Sequence, residues 1–328
     1  MNTELHNCSN IQADSSVHGK LKQEVIEGLS ASSKFLPSKY LYDKAGDRLF
    51  QDIMVMPEYY LTTCELDIFK NRTAEIADII TQGARPFDLI ELGAGDAMKS
   101  SFLLKYLMNA GVEFTYRPID ISGNILNELE DRLRTEIPEL KIDSLAGEYF
   151  DMLSEATALS PRRKVVLFLG GNIGNMEWNE IEEFCMELNH SLSKGDMVLI
   201  GFDLRKNPHT ILNAYNDKAG ITAAFNLNLL TRLNRELGAD FDPAKFQHYQ
   251  TYDPVSGACR SYLVSLTEQK VAIGDLIFPF RQNELINIEV SQKFSPGEIA
   301  DLAEQSEFKL LKNIHDSKSW FVDSAWIK

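Results

Sequence analysis

The residues Glu91-Leu92-Gly93-Ala94-Gly95-Asp96 follow an apolar run and precede a helical pattern. Glycines at such a point allow a tight turn and let a ligand come close to backbone N–H groups. A dinucleotide-binding turn carries a third glycine three residues after the second, and Met98 stands there. A pyrophosphate-bearing cofactor is therefore disfavoured. An acidic-x-Gly-x-Gly loop of this kind suits S-adenosylmethionine, which has an adenosine end and an amino-acid end but no phosphate. The plainer alternative is an ordinary strand-to-helix turn. Asp120 lies 25 residues beyond Gly95, at the end of the next apolar run, where a carboxylate can accept both ribose hydroxyls. Ser122 is an equally good cap for the helix that follows, which leaves Asp120 for a ligand. A second turn, Gly170-Gly171-Asn172-Ile173-Gly174-Asn175, ends a later run. Asn175 offers a neutral donor and acceptor there, or else caps the next helix.

Elements of alternating type must hold these turns. Phe87 to Leu92, Phe114 to Ile121, Ile142 to Glu148, Lys164 to Leu169 and Asp196 to Phe202 read as strands. Ser100 to Asn109, Asn124 to Thr135 and Glu177 to Leu192 read as helices between them. That alternation predicts a parallel sheet covered on both faces. Ahead of it, helical spacing predicts helices over Lys20 to Lys34, Asp47 to Met54 and Glu65 to Thr81, the last capped by Thr63. After Asp203 the pattern changes. Residues 204–240 read as helical, and Phe246 to Thr251, Ala258 to Thr267 and Glu284 to Val290 as antiparallel strands. The tail resumes with a helix over Ser295 to Gln305 and strands over Phe308 to His315 and Ser319 to Ile327. The inserted piece and the N-terminal sixty residues are expected to form a second, smaller domain.

Composition narrows the partners. The 328 residues include 33 Lys plus Arg against 48 Asp plus Glu, a formal charge of -15 with no long basic run. Such a chain repels phosphate backbones and anionic lipid heads, which argues against nucleic-acid or membrane-surface binding. No apolar stretch approaches the roughly 18 residues of a spanning helix, and no secretory signal opens the chain. The expectation is a cytoplasmic monomer with reduced cysteines and a polar start, frayed to about His18. Cys8, Cys64, Cys185 and Cys259 form no CxxC pair, so no metal is expected. There is also no GxxxxGK[ST] loop, no HExxH and no GxSxG elbow.

The segments LPSKYLYDKAGDRLFQDIMVMPEYYLTTCE (36–65), DLIELGAG (88–95), RPIDIS (117–122), FLGGNIGN (168–175), AYNDKAGITAAFNLNLLTRLNRELGADFD (214–242) and EVSQKFSPGE (289–298) together cover nearly the whole chain beyond residue 20. In their order and spacing the chain resembles the histidine-specific S-adenosylmethionine-dependent methyltransferases of the ergothioneine pathway. The resemblance implies an α/β, Rossmann-like class I methyltransferase domain with a parallel-type sheet (62–202 and 292–328). It also implies a smaller α+β substrate-binding domain (1–61 and 203–291). Gly93, Lys99 and Asp120 would hold S-adenosylmethionine, with Lys99 facing its carboxylate and Asp120 its ribose. Glu148 and Tyr149 fall on the adenine side, where the family pattern leads one to expect Asp-Phe. Asn175 and Tyr215 would bind the carboxylate of histidine, and Tyr59, Glu289 and Ser291 its imidazole. Tyr42, Phe50 and Gly170 match positions near the amino group.

These roles have a physical basis. Glu289 and Ser291 are two apart on an expected strand, so both point to one face. A carboxylate can accept an imidazole N–H while a hydroxyl bonds the other nitrogen. Tyr42, Phe50 and Tyr59 can face a growing methylammonium through cation–π attraction. A pocket position where methionine is expected holds Ser261, which makes that end roomier or more polar. The activity so implied is N-methylation of the α-amino group of L-histidine, up to the trimethyl betaine hercynine. The alternatives are the same fold acting on another amino acid or imidazole derivative, a non-catalytic amino-acid-binding homologue, and a nicotinamide oxidoreductase.

Overall fold

The computed structural model describes residues 5–83 and 85–328, with side chains from His18 onward. The start expected to fray to about His18 is helical from Leu5, and the Cys8 thiol falls outside the described side chains. In chain order the elements are α1 (Leu5–Ser30), α2 (Lys44–Met54), α3 (Tyr60–Asn71), α4 (Thr73–Ile80), β1 (Phe87–Leu92), α5 (Ser100–Asn109), β2 (Phe114–Asp120) and α6 (Gly123–Glu136). Next come β3 (Leu145–Ala146), α7 (Tyr149–Leu159), β4 (Arg163–Phe168), α8 (Trp178–His190), β5 (Met197–Asp203), α9 (Pro208–Ala214) and α10 (Ile221–Leu237). The chain closes with β6 (Phe246–Tyr252), β7 (Ala258–Ser265), β8 (Gln269–Ile273), β9 (Leu276–Phe280), β10 (Leu285–Gln292), α11 (Pro296–Gln305), β11 (Lys309–His315) and β12 (Phe321–Ile327). Two compact units result: Met1–Tyr59 with Asn207–Ser291, and Tyr60–Lys206 with Gln292–Lys328. Among the described residues, no helix is long and apolar enough to cross a membrane.

The larger unit carries a seven-stranded sheet in the order β11-β12-β5-β4-β1-β2-β3. β1 to β5 pair in parallel, and β12 enters antiparallel beside β5. This is the doubly wound, Rossmann-like sheet expected from the alternating pattern. β1 is buried along its whole length, because helices cover both faces of a parallel sheet. Strand order reverses between β1 and β4, the point at which the carboxyl ends of such a sheet form a ligand crevice. The core beneath is Ile90, Leu92, Val166, Phe168, Ile200, Phe202 and Trp326. Ser295 and Glu298 cap α11 reciprocally, each side chain accepting the other's backbone N–H.

Two expectations in this unit are corrected. The helix expected over Glu65 to Thr81 is two helices, α3 and α4, interrupted at Arg72. The Asn71-Arg72-Thr73 stretch is polar, and the Thr73 hydroxyl bonds back to the Phe69 carbonyl, offering the backbone an alternative to a continuous ladder. Thr63 is no N-cap; it lies inside α3, its hydroxyl donating to Tyr60 O. The expected strand over Ile142 to Glu148 shrinks to β3, plus an isolated bridge between Tyr116 and Ile142. It is the edge strand, and only Ile119 and Asp120 of β2 remain for it to pair with.

The smaller unit is α+β. One three-stranded sheet runs β10-β7-β6, with β6 and β7 antiparallel. Leu21, Val25 and Leu29 of α1 and Leu229, Leu230 and Leu233 of α10 share one core with Leu263 and Ile288. α1 ends at Ser30, short of the expected Lys34, because residues 34–36 leave the helix to bond with Asn287: Leu36 N–H donates to Asn287 O, and Asn287 N–H to Lys34 O. Between Thr267 and Glu284 the sequence predicts no element, yet β8 and β9 form a hairpin there. Its two-residue turn is Gly274-Asp275, with Gly274 at φ 59°.

Candidate functional site

In the larger unit, the turn after β1 is held from two sides. Gly93 has φ 67°, and a Cβ there would lie 2.8 Å from the Tyr149 hydroxyl, so the position has room only for glycine. The N–H groups of Gly93 and Ala94 both donate to Ile119 O, at 2.8 and 3.1 Å. Asp120, half-buried, accepts the Gly95 N–H at 3.1 Å and the Ser122 N–H at 3.0 Å. Ser122, not Asp120, caps α6. Asp120 therefore ties the turn after β1 to the end of β2, with lone pairs remaining on both oxygens.

Tyr149 opens α7, its ring 5.8 Å from Phe168 and edge-on to it. Burial pushes its hydroxyl up to about 12, and the charges of Asp120 and Glu148 add to the shift. The phenol thus remains a neutral hydrogen-bonding group at the turn. Glu148 is exposed at the N-cap position of α7 and makes no capping bond. Gly93, Asp120 and Tyr149 are brought together at the ends of β1 and β2, with Glu148 beside them. Lys99, just before α5, is turned to Glu65 of α3, with which it forms an ion pair. Burial alone would lower the Lys99 pKa; the Glu65 carboxylate outweighs it and holds the ammonium above its ordinary value.

At the turn after β4, the Gly170 N–H donates to both Glu65 oxygens, at 2.8 and 2.9 Å. Asn172–Asn175 then forms one 3-10 turn, with Asn175 exposed. Asn175 does not cap α8. Glu177 takes that position, its N–H donating to Glu180 Oε2 at 2.7 Å. The helix-cap alternative for Asn175 is thereby removed. Glu91, at the end of β1, accepts the Tyr116 hydroxyl at 2.5 Å. Burial pushes its carboxyl up to about 7, against the pull of Tyr116, Ser100 and Lys99.

In the smaller unit, the predicted aromatic residues form one row. Tyr42 meets Phe50 edge-on at 5.4 Å, Phe50 meets Tyr59 at 6.5 Å, and Tyr59 meets Tyr215 at 6.1 Å. At the end of the row the Tyr215 and Ser291 hydroxyls are hydrogen-bonded at 2.7 Å, both residues buried. Glu289 sits one alternation back along β10, on the face opposite the core residues Ile286 and Ile288. The row includes one ring that the sequence does not single out. Phe225 of α10 is buried 5.5 Å from Tyr42 and 5.9 Å from Phe50. Its helical spacing to Leu229 and Leu233 makes it look like plain core. Ser261 is buried on β7, paired across the ladder with Gln250 and on the same face as Leu263. Gly170 and Asn175 belong to the other unit.

Comparison with known proteins bears on both units. A family model described as histidine-specific, S-adenosylmethionine-dependent methyltransferase matches residues 21–328. The "Histidine N-alpha-methyltransferase" of Mycolicibacterium smegmatis is 36% identical over 96% of this chain and 94% of its own. The protein of that name in Mycobacterium tuberculosis is 34% identical over 94% of this chain and 92% of its own. The "Ergothioneine biosynthesis protein 1" of Schizosaccharomyces pombe is 32% identical over 84% of this chain but only 36% of its own length.

Proposed function

The chain belongs to the family of histidine-specific, S-adenosylmethionine-dependent methyltransferases, and from that premise we propose that it methylates the α-amino group of L-histidine, up to the trimethyl betaine hercynine. The observation that carries the acceptor is the polar end of the aromatic row. Tyr215 and Ser291 are hydrogen-bonded there, with Glu289 one alternation away on β10. A carboxylate and a hydroxyl on one strand face match the two ring nitrogens of imidazole, and an amino acid without the ring would forgo both contacts. Tyr59, next in the row, adds a third contact to the ring. Tyr215 and Asn175 are assigned to the acceptor's carboxylate, and Tyr42, Phe50 and Gly170 to the surroundings of its amino group.

The turn after β1 fits the methyl donor. Gly93 keeps the backbone of the turn clear of a side chain of its own beneath the Tyr149 hydroxyl, and Asp120 keeps lone pairs for two ribose hydroxyls. Tyr149 and Glu148 stand on the adenine side, and Lys99 is the cation for a carboxylate. The donor supplies a sulfonium-activated methyl group that an amine displaces in line. The chain's own task is then positioning: holding the acceptor's nitrogen neutral, oriented and shielded from water. The aromatic row suits successive methylations, because ring faces attract an ammonium whatever its methyl count. Ser261 favours a second reading, in which a more polar imidazole derivative is the acceptor.

Mass spectrometry decides between them. Purified protein is incubated with S-adenosylmethionine and an equimolar mixture of the twenty amino acids, with imidazole derivatives added in a second reaction. Histidine alone gaining three methyl groups is the expected result. Methylation only of a derivative would transfer the assignment to the second reading. Glu289→Ala is expected to raise the KM for histidine at least about tenfold, the loss of one charge-assisted hydrogen bond, and to leave cofactor affinity unchanged. Equal losses for both ligands would remove Glu289 from the acceptor site.

A further inference from the structure

Glu65 has no role in the reading above, yet it touches two of the residues which that reading uses. It stands on α3 and is 1% exposed. The Gly170 N–H donates to both of its oxygens, and Lys99 Nζ donates to Oε2. Gly201 of β5 makes the space: a Cβ there would lie 2.5 Å from Glu65 Oε1. Lys99 follows the turn after β1, and Gly170 the end of β4, so one carboxylate links the two strand ends that flank the reversal of strand order.

The other charges facing the pair come from three strands and α5. Asp323 of β12 is fully buried against Glu65 and Lys99, and Glu91 of β1 also faces Lys99, with Tyr116 of β2 and Ser100 of α5 bonded to Glu91. Burial first, and then the Glu65 charge, holds the Asp323 carboxyl well above the usual range. The ion pair of Lys99 is with Glu65. Among the described residues no group of His, Cys, Asp or Glu is arranged to hold a metal ion. A buried carboxylate is tolerated only when paired and hydrogen-bonded, and Glu65 is both.

We propose that Glu65 is a positioning residue for methyl transfer: its one buried carboxylate fixes the Lys99 ammonium and the Gly170 backbone together, so that the donor and acceptor contacts are set by a single group. This rests on the reading that Lys99 meets the donor's carboxylate and that Gly170 borders the acceptor. Glu65→Gln keeps an oxygen for the Gly170 N–H but removes the charge. Glu65→Ala removes both. Combining Glu65→Gln with Asp323→Asn prevents Asp323 from becoming the replacement anion for Lys99.

The measurements are the Kd for S-adenosylhomocysteine between about pH 6 and about pH 10, and KM and kcat for histidine at saturating donor. The Gln/Asn double variant is expected to keep the KM for histidine and to bind S-adenosylhomocysteine about tenfold more weakly. Its affinity should also fall away at lower pH than in the wild type, because Lys99 without its anion loses its proton sooner. Glu65→Ala should raise the KM for histidine as well. Equal losses in the Gln and Ala variants, with an unshifted pH profile, would make Glu65 a support for the fold and overturn the proposal. Wild-type values throughout would overturn it too. Should the wild type bind S-adenosylhomocysteine but leave histidine unmethylated, the functional reading fails, while the pH profile still judges the Glu65–Lys99 link.

Discussion

Asp120 holds the turn after β1 to the end of β2 and is also the residue that the proposed function assigns to the ribose. Each of its oxygens already accepts one backbone N–H, from Gly95 and Ser122. A ribose would engage what remains of the same carboxylate. Asp120→Ala is therefore expected to weaken S-adenosylhomocysteine binding by about ten- to a hundredfold, the cost of one or two hydrogen bonds to a charged group. It should also loosen the Gly95 amide, measured as faster hydrogen exchange at that turn. Unchanged affinity would confine Asp120 to holding the turn. Asp120, Gly93 and Ser291 are legible in the sequence because their chemistry fits their position at a strand end or on one strand face. Glu65 is not. It opens an expected amphipathic helix with Asp67 two residues on, where acidic residues read as a solvated face, and only the sheet brings Gly170 and Lys99 to it.

At the scale of elements, α2 positions two candidate residues, since Phe50 lies on it and Tyr42 comes just before its N-cap Asp43. Its third residue is Gly46, where a Cβ would lie 1.8 Å from the Leu41 carbonyl oxygen. Glycine to alanine inside a helix ordinarily stabilises by up to about 1 kcal/mol. Here the sign reverses: Gly46→Ala must push the Ser38–Leu41 turn away from α2 and should destabilise the protein by about 1–3 kcal/mol. A lower Tm with a raised KM for histidine is the expected pair of results, and a more stable variant would contradict the close approach. The doubly wound sheet is legible in the sequence because buried parallel strands read as continuous apolar runs between helices. The break between α3 and α4 is hidden, because apolar spacing carries on across Arg72 while the backbone does not. The β8–β9 hairpin had a signal in Gly274-Asp275, but the flanking strands alternate weakly: Gln269 to Ile273 contains a lysine and an alanine, and Leu276 and Ile277 are exposed.

Across the whole molecule, two buried groups, one in each unit, place opposite demands on pH. In the smaller unit His248 of β6 is buried with Nε2 unpartnered, and burial lowers its pKa to about 4 despite the nearby charge of Asp217. Its folded form resists protonation, so the unfolded chain binds the extra proton, and stability is lost as pH falls from about 6.5 towards 4. In the larger unit Glu91 has the reverse sign. Its pKa is raised from 4.5 to about 7, so the folded form holds a proton that the unfolded chain releases. Stability there is greatest below 4.5 and declines as pH rises through 7. Each effect is worth roughly 3 kcal/mol at its limit, and the two oppose one another between 4.5 and 6.5. The wild type should accordingly show a shallow stability curve through that interval. Glu91→Gln retains an acceptor for the Tyr116 hydroxyl and removes the ionisation, so thermal unfolding followed from about pH 4 to about pH 8 should show a steeper rise towards neutrality and a smaller later decline than the wild type. His248→Gln should change the curve the other way, with a steeper decline than the wild type as pH rises above about 4.5. Because two units need not unfold together, hydrogen exchange in β6 and β1 assigns each slope to its unit. A Glu91→Gln protein whose stability keeps the wild-type pH dependence would mean that Glu91 is already ionised in the fold, with Lys99 as its counter-ion.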